Sequence, residues 1–197
     1  MGRTLAKPAG APRRVQPKVF CVEGEWSPRL TDQFSVLPLL VYLKGVGQID
    51  FIHRQVETVE GLLNVVRRWP QKQYTAYSLG YFGFHGEPGR LLLGRRSLEL
   101  EELGEVLRGK CAGKVLYFGS CALMDIPTRR IQRFRRLTGA RCVAGYREDV
   151  DFFESAAFDM LLLEALTWYR RMDAVDNWLG SEYGQLVRRL SFRMYYG

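Results

Sequence analysis

Two short stretches of this 197-residue sequence end on side chains that could do chemistry together. Tyr81-Phe82-Gly83-Phe84-His85-Gly86 runs out on a histidine, and Val115-Leu116-Tyr117-Phe118-Gly119-Ser120-Cys121 on a cysteine. Each is an apolar run of the kind that fills a buried parallel strand. In open α/β sheets the ligand crevice lies outside the carboxyl ends of the strands, and neighbouring strands sit about 4.8 Å apart. A histidine ending one strand and a cysteine ending its neighbour would face each other across that crevice, as a thiolate nucleophile and its base require.

The elements around these stretches predict such a sheet. Strand-like and helix-like patterns alternate from residue 18 to about 172, the signature of a wound, mainly parallel sheet. Strands are expected over 18–22, 49–55, 76–85, 114–120 and 141–146, with a small ribbon near Leu91-Leu92-Leu93. Ser27-Pro28 reads as a helix N-cap and first position, followed by Phe34, Leu37, Leu40 and Val41, with a kink or shortening at Pro38. Val59, Leu62, Leu63 and Val66 carry helical spacing. Ser97 reads as the cap of a helix bearing Leu100, Leu103 and Leu107. A helix over 128–138 ends at Gly139, and Asp151-x-x-Glu154 reads as the capping box of a long helix through Arg171. Leu186, Val187, Leu190 and Met194 predict one more amphipathic helix.

Composition narrows the class. The apolar content of 47% and charged content of 25% are those of an ordinary globular protein. No apolar run is long enough to span a bilayer, and the basic start lacks an apolar signal core, so the expectation is a cytoplasmic protein with no membrane role. The net charge is +8, and Arg3, Lys7, Arg13, Arg14 and Lys18 supply five of those units. Residues 1–17 therefore read as a basic, Pro- and Ala-containing flexible tail, and 18–197 as a single domain. A near-neutral remainder argues against a nucleic-acid partner. The cysteines at 21, 111, 121 and 142 show no metal-binding or disulfide spacing, and neither a metal nor a cofactor is expected. Cys21 and Cys142 sit inside apolar runs as buried residues.

Phe84-His85-Gly86, Gly119-Ser120-Cys121 and Gly145-Tyr146-Arg147-Glu148-Asp149-Val150-Asp151, in that order along alternating strands and helices, resemble the caspase-like (clan CD) cysteine peptidases. The small bacterial caspase-like and CHAT-type domains are the most similar, over residues 18–171. The resemblance implies an α/β caspase-like three-layer sandwich, a mainly parallel sheet with helices on both faces. It implies Cys121 as nucleophile and His85 as general base and acid, with the N–H groups of Gly86 and Cys121 forming the oxyanion hole. The loop after the fifth strand would line the pocket for the residue before the scissile bond. Glu148, Asp149 and Asp151 there suit a basic side chain, whereas Arg147 suits an acidic one, and three carboxylates tilt the expectation towards basic. Asp151 has a competing role as a helix cap. The family's Gln-Ala-Cys-x-Gly pentapeptide is absent, and only 35 residues separate His85 from Cys121, which implies trimmed loops. No processing linker is visible, so self-cleaving activation is not expected.

Other chemistries fit less well. His85-Gly86-Glu87 has the H-x-E form of a zinc deaminase, but Ser120 and Met124 stand where P-C-x-x-C needs proline and cysteine. Leu123 stands where a nucleophile elbow needs glycine. His53 reads as a structural histidine, and Tyr74, Tyr77, Tyr81, Phe82 and Phe84 as packing residues. The expected partners are a protein or peptide substrate and a regulatory protein. The alternative is a catalytically silent caspase-like interaction module. It would bind a partner through its basic tail and the arginines at 129, 130, 133, 135 and 136.

Overall fold

In a computed structural model that describes residues 17–197, six strands form one sheet in the order β2-β1-β3-β7-β8-β9. β1 (Lys18–Glu23), β2 (Asp50–Gln55), β3 (Leu79–Gly83), β7 (Val115–Phe118) and β8 (Cys142–Tyr146) run parallel, and β9 (Phe192–Tyr196) pairs antiparallel with β8. The four central strands are almost wholly buried, because each is covered on both sides. Phe20, Val22, Phe82, Leu116, Phe118 and Val143 face one helical layer: α2 (Val59–Arg68), α3 (Leu100–Val106) and α4 (Thr128–Thr138). Val19, Cys21, Tyr81, Tyr117, Ala144 and Tyr146 face the other: α1 (Leu37–Gly45), α5 (Phe152–Trp168) and α6 (Met172–Glu182). Three layers result, as the alternation of side chains along each strand dictates. The expected tail, 1–17, falls on residues outside those described except for Pro17.

β1 lies between β2 and β3, so the chain leaves β1 toward one edge of the sheet and returns on its other side at β3. The strand order reverses there, and the loops after β1 and β3 part around a crevice.

Several sequence expectations are corrected. The first helix starts at Leu37, capped at Val36, and Pro38 sits in its first turn where no N–H is needed, so it does not kink the helix; Ser27 belongs to a loop. Ser97 lies in β6 (Arg96–Glu99), and Glu99 flanks α3 without a side-chain cap. The expected third strand stops at Gly83. His85 instead begins β4 (His85–Glu87), which forms a separate three-stranded antiparallel sheet with β5 (Arg90–Leu93) and β6. The long helix ends at Trp168, and α6 starts afresh after Arg171. The final helix divides into α7 (Gly184–Arg189) and β9, whose five residues alternate about the sheet.

Candidate active site

The register of β3 on β7 pairs Leu79 with Val115 and Phe82 with Phe118. Continued three residues beyond the ladder, that offset puts His85 level with Cys121. The Phe84 N–H donates to the Ser120 Oγ at 3.3 Å, and the Gly119 N–H to the Phe82 carbonyl at 2.9 Å, which holds the two segments together past their strand ends. His85 and Cys121 line the same two adjoining hollows, an open groove of about 700 Å³ and a narrower cavity of about 170 Å³. Cys121 is half-buried, whereas Cys21, Cys111 and Cys142 are fully buried, and burial pushes the thiols of Cys111 and Cys142 up to about 12. Of the four thiols, only Cys121 is reachable.

The turn that carries Cys121 is tightly held. The Val150 N–H points at the Cys121 Sγ from 3.5 Å. Ala122 adopts a left-handed backbone (φ 46°), and its N–H donates to the Glu148 carbonyl at 3.0 Å. A non-glycine residue in that region is strained, and such strain persists only where surrounding bonds impose it. Gly86 approaches the same turn: a Cβ there would lie 2.5 Å from the Cys121 carbonyl oxygen and 3.1 Å from the Ser120 Cβ. Glycine after the histidine is thus demanded by the backbone of Cys121.

His85 is oriented from the loop after β1. Its Nε2 lies 3.0 Å from the Trp26 carbonyl oxygen, and the two rings meet edge-on at 5.4 Å. A carbonyl can only accept, so Nε2 carries a proton there and Nδ1 is the nitrogen free to face other groups. Trp26 is in turn clamped by Glu23, the last residue of β1. That buried carboxylate accepts from the Trp26 Nε1 at 2.9 Å, the Ser35 hydroxyl at 2.5 Å and the Val36 N–H at 3.0 Å. The His53 Nε2 also lies 2.6 Å from it. Burial pushes the Glu23 carboxyl up, but these donors together hold it below its ordinary value. His53 thus has the structural role expected of it.

The loop after β8 divides its charges. Asp149 borders the open groove beside His85, Gly86 and Cys121, and Glu148 is exposed. Asp151 is spent on capping α5, accepting from Phe153 N at 2.9 Å and Glu154 N at 3.0 Å. Arg147 pairs with Asp125 at 3.1 Å, away from the groove.

Three residues at the site escaped the sequence reading. Trp26 acts through a backbone carbonyl, which no side-chain pattern reveals. Glu23 reads as an ordinary strand end. Asp159 borders the narrow cavity together with Trp26, Phe34, Tyr81, Phe152 and Cys121. Its signal was available, as a lone acid followed by Met160-Leu161-Leu162-Leu163. Asp159 accepts from the hydroxyls of Tyr81, Tyr117 and Tyr146, the last at 3.0 Å. Burial raises its carboxyl to about 6, against the three hydroxyls, which hold it down.

Residues 16–196 match a family of unknown function, DUF6642. No curated protein matches the sequence. Among solved structures, the crystal structure of caspase-1 from Spodoptera frugiperda superposes with a TM-score of 0.51 at 14% identity, covering 78% of this chain and 69% of that one. The fold is therefore caspase-like.

Proposed function

We propose that this chain, which belongs to the family of unknown function DUF6642, is a cysteine endopeptidase working through Cys121 and His85. One observation carries the reading: the only accessible thiol shares a cleft with a histidine whose Nε2 proton is fixed on the Trp26 carbonyl. In this scheme His85 Nδ1 takes the thiol proton as Sγ attacks the scissile carbonyl carbon, forming the C–S bond and pushing the carbonyl electrons onto oxygen. The N–H groups of Gly86 and Cys121 receive that oxyanion. As the tetrahedral intermediate collapses, the C–N bond breaks and His85 returns the proton to the leaving amine. Water, deprotonated by His85, then hydrolyses the thioester and regenerates the thiol. Asp149, with Glu25 and Glu87, makes the open groove acidic, in keeping with a preference for a basic residue before the scissile bond; Asp151 and Arg147 are engaged elsewhere, and Glu148 lines neither hollow. A protein or peptide substrate, a regulatory protein partner and a cytoplasmic site of action belong to the same proposal.

Peptidyl ketones bearing Arg, Lys, Asp or Leu next to the warhead test it, read by intact mass. Labelling confined to Cys121 and lost in His85→Ala is the expected result. Equal labelling of the wild type and His85→Ala by every ketone would mean that His85 does not activate the thiol, and the chain would be read as the non-catalytic module.

A further inference from the structure

The narrow cavity next to Cys121 has an unusual composition. Its mouth is aromatic: Phe152 packs edge-on against Trp26 at 5.6 Å and Phe34 at 5.2 Å. Its wall is the first two turns of α5, where Phe152, Ser155, Ala156 and Asp159 follow one another at helical spacing. Its depth is Tyr81 and Asp159. At about 170 Å³ it is smaller than the hundreds of Å³ that enclose a whole small-molecule ligand, and suits one side chain.

Asp159 is the group that needs explaining. It is 2% exposed, yet its recorded partners among the described residues are three tyrosine hydroxyls, with no lysine, arginine or histidine among them. A carboxylate offers about four acceptor positions. Tyr117 and Tyr146 take both on Oδ1, and Tyr81 takes one on Oδ2. One position on Oδ2 remains. A buried carboxylate without a counter-cation is costly, and one that borders a cleft is a candidate binding group whose missing charge a ligand can supply. Tyrosine hydroxyls stabilise the anion without neutralising it, so the cavity keeps a negative end behind a rim of aromatic faces, a setting that attracts a cation twice over.

We propose that this cavity is the pocket for the side chain before the scissile bond, that its occupant is a guanidinium or ammonium, and that Asp159 is the residue that selects it. The side-chain assignment rests on the peptidase reading; the cation-binding assignment does not. Selection then comes from the depth of the cavity, with Asp149 contributing only to the charge of the adjoining groove.

Two measurements test it together. The first is the ratio of Cys121 labelling rates by the Arg and Leu ketones, taken within each variant so that intrinsic thiol reactivity cancels. The wild-type ratio is expected to exceed roughly ten and to fall towards one in Asp159→Asn. The second needs no catalysis: agmatine, a guanidinium without a scissile bond, should raise the melting temperature of the wild type and leave Asp159→Asn unmoved. Ser155→Lys, one helical turn before Asp159 on the same face, supplies a tethered ammonium and should abolish both responses in a protein whose carboxylate is intact. An Arg-over-Leu ratio or an agmatine shift that survives in both variants overturns the assignment to Asp159. Absence of any agmatine shift in the wild type overturns the cation pocket. Failure of every ketone while agmatine still binds would sink the peptidase reading and leave the pocket standing.

Discussion

Glu23 shows how much of a cleft's arrangement can rest on one side chain that lines neither of its hollows. Its donors come from the loop after β1, the start of α1 and the neighbouring strand β2. In Glu23→Gln one amide N–H₂ would meet these donors, leaving buried groups unpaired at a cost of about 1–3 kcal/mol. Trp26, and with it His85, would lose its fixed position. Labelling of Cys121 by a peptidyl ketone is expected to slow roughly tenfold. The same substitution in a His85→Ala background should cost no further rate, which separates positioning from general destabilisation. Glu23 and Asp159 also pull acid stability in opposite directions. The carboxyl of Glu23 is lowered on folding, so its contribution is present above the ordinary carboxylate range and lost as pH falls through its depressed value. Asp159 is raised from 3.8 to about 6, so its contribution is present at low pH and lost as pH rises through about 6. That shift of about two units corresponds to on the order of 3 kcal/mol. The groups facing Asp159 are Tyr81, Tyr117 and Tyr146, all raised well above 10, together with Cys21 on β1 and Cys121 beyond Tyr146. In a Cys121→Ala background, denaturant titrations at about pH 7.5 and about pH 5 should show Asp159→Asn gaining on its parent at the higher value and losing that advantage at the lower. Equal differences at both values would contradict the raised carboxyl.

At the level of elements, the strands were easier to read than their ends. Val19-Phe20-Cys21-Val22 and Cys142-Val143-Ala144 are apolar runs buried on both faces, and their composition alone marked them as strands. Two other runs were read too long: β3 stops at Gly83 and β7 at Phe118, so His85 and Cys121 lie just past the strands they were expected to close. The start of α1 was misread because Ser27-Pro28 imitates a cap, whereas Ser27 spends its hydroxyl on Asp32. β9 was missed because a five-residue alternation is weak beside the helix-like spacing of Leu186, Leu190 and Met194. The Asp159 network lay beyond local reading altogether: its partners come from three strands up to 78 residues away. Asp151 was read both as a cap and as a substrate ligand, and these separate cleanly. Asp151→Ala should cost about 1 kcal/mol of stability while the Arg-over-Leu labelling ratio stays as in the wild type; a collapse of that ratio would restore Asp151 to the pocket. The strained Ala122 gives a second element-level expectation. Ala122→Val places a β-branched residue at φ 46° and should lower stability by about 1–3 kcal/mol, with Ala122→Gly tolerated. A melt in which valine matches alanine would count against strain in that turn.

For the molecule as a whole, the sheet sets the cleft apart from the basic face of α4. The cleft opens at the carboxyl ends of β1, β3 and β7, and Leu30, Phe34 and Phe153, all exposed, lie on the chain around it. The arginines of α4 belong to the opposite helical layer. Arg130 is paired there with Glu101 at 2.8 Å, whereas Arg129, Arg133 and Arg136 stay exposed. If that face serves a polyanionic partner, retention on heparin should fall steeply with salt and drop further on replacing these three with glutamine; unchanged retention would leave the face as solvated surface. No helix among the described residues is long and apolar enough to cross a membrane. The antiparallel strand β9 carries one more consequence. It is the last strand of the sheet to be synthesised, yet it pairs along the whole of β8, and the Ser191 carbonyl accepts from the Arg147 N–H at 3.1 Å. Phe192 packs on Tyr146 and Phe158, at 5.9 and 4.7 Å, directly beside the tyrosines that hold Asp159. The cradle of Asp159 is therefore closed by the strand reached last among the six, and a chain cut before Phe192 would leave that cradle open on one side.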